Sequence, residues 1–562
     1  MRRVANKTGL FSFLIFLLFS GSLIVSLLAK QPLLWMDEIL SYLLISDQSL
    51  AHLNEAIVSG LDANPPLFAN LYWLIAHVVS MNVVFLKGIS VVIFAATLAF
   101  FHYYTSRILG GPIRNFVLIT SLAAFTYLNS TLATQIRAYP LFLLLTLGYF
   151  VVLHQLTRQP TKPTWLLAHV GLGLLVVLTH NFGLFYVAAA GAFFCLLWLW
   201  SRNRAYAYVL GTFPIIGLVW LVVWYTSFAI QAKAGEPHSW IPLPTVHSFF
   251  QIVGELAPAL SARLEAAGSV PVLPALRFAG LVILFFAIAV PSLKEGFRAA
   301  VSDSGFMLYL LAAFIYLATI SITLIVSLVH TSVFISRYLW PNHLLVIYQL
   351  VYAYHFFTSR ERTWPRLAHA FPANYAFRRF KFAGSRLIPL LPVYVAGLAC
   401  LLFYQGRKVA LAPTTVMMYV DQLDKRYPVF LESSINFMPV WFYSHTHRPV
   451  YFLLDYKSAF DPANDPGASV GFHTLAAVKA KYHVGAVRPL ASFNAQTVPH
   501  FFVVDERWNY QIERFIQNKS IQIIRTIPTT MPGISIRECV FADASFSPEK
   551  PENCHHLALV SK

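Results

Sequence analysis

Two acidic clusters near the N-terminus carry the residue types that proton transfer requires. Trp35-Met36-Asp37-Glu38 places adjacent carboxylates directly after the first long apolar stretch, and Asp62-Ala63-Asn64-Pro65-Pro66-Leu67 follows in the same polar segment. Neighbouring side chains on a helix point about 100° apart, so one carboxylate can face a reacting group while the other orients it. The alternative is an ordinary helix start, where acids favour the N-terminal dipole.

Three basic residues stand at the edges of apolar stretches, namely Lys87, Arg137 and Arg337. Cations at this depth suit the phosphate of a membrane-anchored ligand. Snorkelling side chains that only mark the interface are the alternative. His180 lies in a short connection between two apolar stretches, where it either hydrogen-bonds a phosphate or sugar or serves as a structural histidine.

The composition excludes a soluble globular protein. Of the 562 residues, 57% are hydrophobic and 12% charged, and the mean hydropathy is +0.61. We therefore expect an α-helical polytopic membrane protein. Eleven transmembrane helices are predicted, at 10–29, 88–105, 116–132, 140–156, 164–179, 182–200, 207–228, 274–292, 305–329, 338–357 and 387–404.

The basic residues predict the topology. With a cytoplasmic N-terminus, eighteen Lys and Arg fall on the inner side and seven on the outer side before the last predicted span. The net charge of +17 is then explained by the orientation of the chain in the membrane, and no nucleic-acid partner is expected. The stretch 67–79 is too short to span and is predicted to be interfacial or re-entrant. The stretch 10–29 is predicted to be a retained anchor because its apolar run is too long for a cleavable signal.

The predicted spans divide the chain into two predicted domains. Residues 1–408 form a transmembrane module with a first outer loop at 30–87 and a second at 229–273. The first loop should contain interfacial helices, one of them capped by Asp47 and ended by Gly60. Residues 409–562 form a small extracytoplasmic α/β domain, because short apolar runs alternate there with polar ones. Cys539 and Cys554 in this tail are left open as either a disulfide or free thiols.

The order of the motifs resembles a known family. The Asp37-Glu38 pair, the Asp62 to Leu67 segment, Lys87, Gln135-Ile136-Arg137-Ala138-Tyr139, Thr179-His180-Asn181, the Trp240 to Pro244 loop and Arg337-Tyr338-Leu339 occur in sequence. They are similar to the dolichyl-phosphate-mannose-protein mannosyltransferases, the aminoarabinose transferases of lipid A, and the rhizobial lipopolysaccharide galacturonosyl- and mannosyltransferases. All of these are membrane glycosyltransferases of the C-type fold. The resemblance covers about residues 10–345 and the tail only weakly.

The resemblance implies a glycosyltransferase of the cytoplasmic (inner) membrane that acts in cell-envelope biogenesis. Its donor would be a polyprenyl-phosphate sugar, and its acceptor a glycolipid, polysaccharide or protein. The implied catalytic residues are Asp37 and Glu38. The implied substrate-binding residues are Asp62, Asn64, Lys87, Gln135, Arg137, Tyr139, His180, Arg337 and Tyr338. Two departures matter: Asn64 replaces a histidine and Ile136 replaces an acid. The resemblance implies no definite cofactor, and a divalent cation at Asp62 and Asn64 stays open.

These residues suggest a mechanism. Asp37 accepts the proton of the acceptor hydroxyl, that oxygen attacks the anomeric carbon, and polyprenyl phosphate leaves in one inverting step.

Two other functions remain as alternatives. A lipid or sugar transporter or flippase would place ionisable residues within the spans, and a polymerase or ligase for polyprenyl-linked glycans would also use outer-loop arginines and histidine.

Overall fold

A computed structural model describes residues 2–30, 33–126, 128, 131–234, 240–259, 272–294, 302–359, 388–409, 415–444 and 448–542. The fold is mostly helical, with one β-sheet in the C-terminal region. Its internal contacts define two compact units. The helical unit comprises Met1–Gln31, Asn82–Val223 and Leu243–Ala410, and the sheet unit comprises Pro32–Met81, Trp224–Pro242 and Leu411–Lys562.

The helices before the C-terminal domain follow the hydropathy of the chain. In order they are α1 (Arg2–Lys30), α2 (Met36–Ile45), α3 (Leu50–Val58), α4 (Leu67–Val78), α5 (Val83–Leu109), α6 (Pro112–Ala124), α7 (Tyr139–Arg158), α8 (Pro163–Thr179), α9 (Gly183–Ser201), α10 (Ala205–Ala234), α11 (Val246–Glu255), α12 (Val272–Lys294), α13 (Ser304–Val329), α14 (Asn342–Ser359) and α15 (Leu391–Val409).

Seven helices of the described residues are long and apolar enough to cross a membrane, which indicates a multi-pass membrane protein. They lie in α1, α5, α7, α9, α10, α12 and α13. Each of the other four predicted spans overlaps a helix. Three of these helices are apolar but shorter, at Pro112–Ala124, Pro163–Thr179 and Leu391–Gly406, and the fourth is α14. The number eleven therefore stays a prediction.

Two predicted span boundaries were wrong. The helix in the span predicted at 116–132 ends at Ala124, where the Thr126 hydroxyl donates to the carbonyl oxygen of Ala123 (3.0 Å). The span predicted from 338 begins at Asn342, since Ser336–Leu339 forms a separate short turn. Both differences move polar residues out of the helices and into the connections.

Buried polar side chains help to join the helices of the helical unit. His102 of α5 donates from Nε2 to the carbonyl oxygen of Pro112 (3.0 Å), so its Nδ1 accepts from the Ser12 hydroxyl of α1 (2.8 Å). Helix α1 packs against α5, α6 and α15. Interhelical hydrogen bonds of this kind fix the contacts of apolar helices, whose lipid-facing surfaces provide little specificity.

The sheet unit ends with an α/β domain. Its elements are α16 (Thr415–Gln422), β1 (Val429–Leu431), α17 (Ser434–Ser444), β2 (Val450–Leu454), α18 (Tyr456–Ala459), α19 (Ala468–Tyr482), β3 (Val487–Pro489), β4 (His500–Glu506), α20 (Glu513–Gln517), β5 (Ile521–Pro528) and β6 (Ile534–Phe541). The strand order is β3-β2-β1-β4-β6-β5. The first four are parallel, with Val429 beside both Val450 and Phe502, and β6 and β5 join antiparallel.

The first-loop helices α2, α3 and α4 belong to this unit, a grouping that the sequence does not predict. Asp47 accepts hydrogen bonds from the Tyr482 hydroxyl (3.0 Å) and from His52 (2.5 Å). Lys481 pairs with Glu55 of α3 (3.1 Å). The C-terminal end of α19 therefore holds α3 and its N-terminal turn against the α/β domain.

The predicted cap of α3 was wrong by two residues. Ser49 is the N-cap, accepting from the backbone N–H of His52, and Asp47 instead accepts from the backbone N–H of Ser49 (3.0 Å). Gly60 ends the turn as expected: its N–H donates to the carbonyl oxygen of Ile57 (3.0 Å) at a φ of +96°.

Aromatic rings fill the core on one face of the sheet. The fully buried ring of Phe493 lies 5.0 Å from Phe430, 5.1 Å from Phe501 and 5.0 Å from Phe541, measured between centroids. Cys539 of β6 is buried in the same core. Cys554 lies outside the described residues, so its pairing with Cys539 stays a prediction.

Phe493→Ala should lower the free energy of unfolding of the α/β domain by about 3–5 kcal/mol, because it leaves a cavity among rings that cannot collapse. Labelling of Cys539 in increasing urea, on a full-length chain with Cys195, Cys400 and Cys554 replaced by alanine, measures this. Ile524→Ala, on an exposed part of β5, is the control and should change it by about 0.5 kcal/mol or less. Equal urea midpoints for the two variants would contradict the assigned core.

Candidate functional site

The predicted catalytic pair opens α2 in the sheet unit. Glu38 is buried, and its Oε2 accepts from the backbone N–H of Trp35 (3.5 Å). Its charge also contributes, after burial, to raising the pKa of the Tyr443 phenol, whose oxygen accepts from the backbone N–H of Leu34 (2.6 Å). Asp37 is less buried than Glu38. The two carboxylates therefore have different surroundings, and Asp37 is the better placed to meet a substrate.

The second acidic segment is a tight turn between α3 and α4. Asp62 Oδ1 accepts from the backbone N–H of Asn64 (3.0 Å) and from its side-chain amide (2.9 Å). Gln231 of α10 donates to the carbonyl oxygen of Asp62 (2.7 Å). Asn64 thus donates to Asp62 from both its backbone and its side chain, and both side chains are buried. Their predicted contact with sugar or a divalent cation stays a prediction.

The predicted histidine lies in the helical unit, between α8 and α9. The Nδ1 atom of His180 accepts from the backbone N–H of Phe182 (3.2 Å), so the neutral ring carries its proton on Nε2 and presents a donor there. Its ring stacks on Phe142 (5.0 Å) and lies 5.6 Å from Tyr139 and 5.5 Å from Tyr338. Burial, then the charges of Arg137 and Arg337, lower its pKa to about 3.

The predicted cations gather around this histidine. Arg137 is 7% exposed, and Arg337 is half-buried with its guanidinium 5.2 Å from the Tyr338 ring. Both are close enough to His180 to affect its pKa.

Lys87 is linked to the same region. It is buried on α5, one turn before Ser90, whose hydroxyl donates to the carbonyl oxygen of Gln135 (2.7 Å). Together with Tyr139 and His180, these residues form what we call the cationic group: Lys87, Gln135, Arg137, Tyr139, His180, Arg337 and Tyr338.

Helix ends add to this positive environment. The cationic group lies at or just before the N-termini of α5, α7, α9 and α14 and at the C-terminus of α8. Four helix N-termini carry partial positive charge and N–H groups without intrahelical acceptors. This end of the helical unit is therefore suited to bind an anion such as a phosphate.

Glu255 is a residue of the candidate site that the sequence analysis did not select. This half-buried residue ends α11, and burial raises its pKa while hydrogen bonds from Ser336 and Gln251 partly oppose that rise. Ser336 precedes Arg337, so Glu255 places a carboxyl group beside the cationic group. Glu255 lies in the long second loop, where no motif and no residue spacing marks it as a functional residue.

A third acidic cluster has metal-ligand spacing. Among the described residues, Glu432, Asp505 and Glu513 offer carboxylate oxygens within 4.8 Å of one another. These carboxyl groups already have partners within the chain. Arg537 pairs with Asp505 (2.7 Å) and lies near Glu513 (3.6 Å), and Glu432 accepts from the backbone N–H groups of Glu506, Gln511 and Ile512. We therefore interpret this cluster as a structural network.

Comparison with protein-family models gives no match for this chain, and comparison with curated proteins gives none either. The resemblance to C-type glycosyltransferases therefore stays a prediction that rests on the motifs.

His180 should be neutral, with its proton on Nε2, down to about pH 5.5, because burial and two guanidinium groups disfavour the charged ring. Nitrogen-15 histidine NMR of the full chain in lipid nanodiscs measures the tautomer, and the difference from a His180→Gln sample assigns the signal. An imidazolium signal from His180 at pH 6 would contradict this arrangement.

The α/β domain should lose stability as the pH rises towards 7. Burial, then a hydrogen bond that the protonated Glu513 donates to Asp505, raises the pKa of Glu513 from 4.5 to about 7. The folded state therefore binds this proton more tightly than the unfolded state, and its contribution is lost as the pH rises through that window. Unfolding in urea, followed through Cys539 with dithiodipyridine, should give a lower midpoint at pH 8 than at pH 5. Glu513→Gln should flatten this dependence, and an unchanged slope would contradict the assignment.

Proposed function

We propose that this protein is a membrane glycosyltransferase that moves a sugar from a polyprenyl-phosphate donor to an acceptor. One observation carries the proposal: Arg137 and Arg337 flank His180 at the end of the helical unit where four helices begin. Such an arrangement suits an anion presented by a lipid anchor. The resemblance of the ordered motifs to C-type glycosyltransferases supports the same function.

The cationic group would bind the donor phosphate. Lys87, Arg137 and Arg337 would stabilise its negative charge, which grows as the bond to the sugar breaks. The Nε2–H of His180 would donate a hydrogen bond without adding charge. Since polyprenyl phosphate leaves as a stable anion, no protein acid is needed to protonate the leaving group.

The acidic residues of the sheet unit would act on the acceptor and the sugar. Asp37 would accept the proton of the acceptor hydroxyl as its oxygen attacks the anomeric carbon, giving inversion in one displacement. The buried Glu38 would orient the acceptor or Asp37. Asp62 and Asn64, which are hydrogen-bonded to each other, would contact the sugar or a divalent cation.

The proposal includes the finer topology that the charges predict. It comprises eleven spans in the inner membrane, a cytoplasmic N-terminus and an extracytoplasmic α/β domain. Acceptors on that side are glycolipids such as lipopolysaccharide, polysaccharides or proteins. The first-loop helices would then face the same compartment as the α/β domain, in agreement with their packing in one unit.

A transporter or flippase fits less well. The seven long apolar helices contain no Asp or Glu, whereas transporters place ionisable residues within their spans. A polymerase or ligase would share the arginines and the histidine. It would not require the Asp37-Glu38 pair at the start of α2.

The purified full-length chain in lipid nanodiscs should release polyprenyl phosphate from at least one of a panel of polyprenyl-phosphate sugars when lipopolysaccharide cores are supplied. Asp37→Asn should reduce the rate about 10²–10⁴-fold, because proton transfer from the acceptor is lost. Arg137→Ala should reduce it about 10²–10³-fold, because charge on the leaving phosphate is less stabilised.

Two variants serve as matched controls for this experiment. Glu55→Gln changes an exposed carboxylate of the same loop, and Arg158→Ala changes an exposed cation at the opposite end of α7. Both should retain the wild-type rate. Full activity of Asp37→Asn would refute the assigned base, and equal losses in Arg137→Ala and Arg158→Ala would refute the phosphate site.

A further inference from the structure

A cavity lies in the α/β domain, at the carboxyl ends of β1 and β4. Its volume is about 250 Å³. From β1 the chain proceeds through β2 to β3 on one side, and then crosses to β4 on the other side. In open parallel sheets, ligands bind outside the carboxyl ends of the strands at such a reversal. The cavity is therefore where the topology predicts a ligand site.

A buried carboxylate fixes the walls of this cavity. Glu432, at the end of β1, accepts at Oε1 from the backbone N–H groups of Gln511 (3.0 Å) and Ile512 (3.2 Å). Its Oε2 accepts from the N–H of Glu506 (3.3 Å). These bonds hold the loop after β4 against the loop after β1. The cavity is thus preorganised by the backbone.

The groups lining the cavity are hydroxyl, amide and carboxyl. The Ser433 hydroxyl donates to Glu506 (2.5 Å), and the Asn436 amide donates to the Ser433 oxygen (3.3 Å). The first turn of α17 begins with Ser434, which also lines the cavity. Sites with several convergent donors and acceptors of this kind select ligands by their hydroxyl groups.

Two exposed tryptophans stand at the rim. Trp508 lines the cavity and is 60% exposed, and its carbonyl oxygen accepts from the backbone N–H of Asp465 (2.7 Å). Trp240 is 41% exposed, and a Cβ atom added to Gly467, another lining residue, would lie 3.8 Å from the Trp240 Cβ. Large aromatic surfaces beside polar groups suit a ring that is apolar on its face and polar at its edge.

The chemistry of the lining favours a neutral sugar over a nucleotide. The segment after β1, Glu432 to Asn436, has no glycine with which to approach a pyrophosphate closely. The carboxyl groups of Glu506 and Asp465 would repel phosphate. The guanidinium of Arg507 lies over the Trp508 ring (5.0 Å), which leaves the carboxyl and hydroxyl groups to dominate the interior.

We propose that this cavity is a binding site for a neutral hexose unit of the acceptor glycan. The assignment of the hexose to an acceptor rests on the proposed function, whereas the binding of a sugar in this cavity does not depend on it. Helix α17 relates the cavity to the acidic pair: Ser434 begins the helix at the cavity, and Tyr443, nine residues later, neighbours Leu34 and Glu38.

Nine residues of α-helix span about 14 Å. A hexose in the cavity is therefore too far from Asp37 and Glu38 to be the one that reacts. It would be held as a remote unit, and its binding would position the reacting hydroxyl elsewhere on the same glycan.

Direct binding is tested on the full-length chain in nanodiscs by saturation-transfer NMR with methyl glucoside, galactoside and mannoside. At least one should bind, and Trp508→Ala and Asn436→Ala should each weaken its affinity about tenfold or more. Trp200→Ala, an equally exposed tryptophan of α9, is the matched control and should leave binding unchanged. An unchanged urea midpoint for Cys539 labelling would show that the variants are folded.

Absence of glycoside binding by the folded wild type, or equal binding by Trp508→Ala, would overturn the sugar site and leave the proposed transferase intact. Transfer assays separate the two proposals. Trp508→Ala should raise KM for the acceptor about tenfold with little change in kcat. Glycoside binding without turnover of any polyprenyl-phosphate sugar would refute the transferase and with it the assignment of the bound hexose to an acceptor.

Discussion

The hydrogen bond from Tyr482 to Asp47 is the contact on which the organisation of the sheet unit depends. It joins residues 435 positions apart in the sequence and attaches the first-loop helices to the last helix before β3. Asp47 also receives donors from His52 and Ser49, and together these hydrogen bonds keep its pKa low despite burial. A carboxylate so fully satisfied stays charged and keeps its partners in place. The acidic pair at the start of α2 is thus positioned by the C-terminal part of the chain.

The helical unit keeps buried cations next to an apolar helix bundle. Arg137 and Lys87 are buried, and such groups are stable only where charge is compensated or hydrogen-bonded. His180 responds by remaining neutral, since a third positive charge between two guanidinium groups would be costly. The result is a region whose positive potential comes from fixed groups and helix ends, and whose histidine can donate a hydrogen bond at any pH near neutrality.

The sequence predicted much of this arrangement because hydropathy and charge act over short distances along the chain. Helices were found at all eleven predicted spans, and Arg137, Tyr139, Arg337 and Tyr338 lie near His180. The sheet could be expected in the tail, but not its order, because parallel pairing joins strands far apart in the chain. The cap of α3 was misassigned because Asp47 and Ser49 are both good caps, and the tertiary contact with Tyr482 decided between them. The cavity beside Glu432 had no sequence signature, since the residues that line it come from separate segments of the chain.

The two edges of the sheet have a further consequence. Strand β3 has three residues and ends in Pro489, which has no N–H to offer a neighbouring chain. At the other edge, β5 has an irregular register between Ile523 and Arg525, and Arg525 is charged and paired with Glu538. Membrane attachment concentrates copies of a protein in two dimensions, where unpaired strand edges would template aggregation. With both edges blunted, the sheet offers neighbouring copies of the chain few free backbone groups with which to pair.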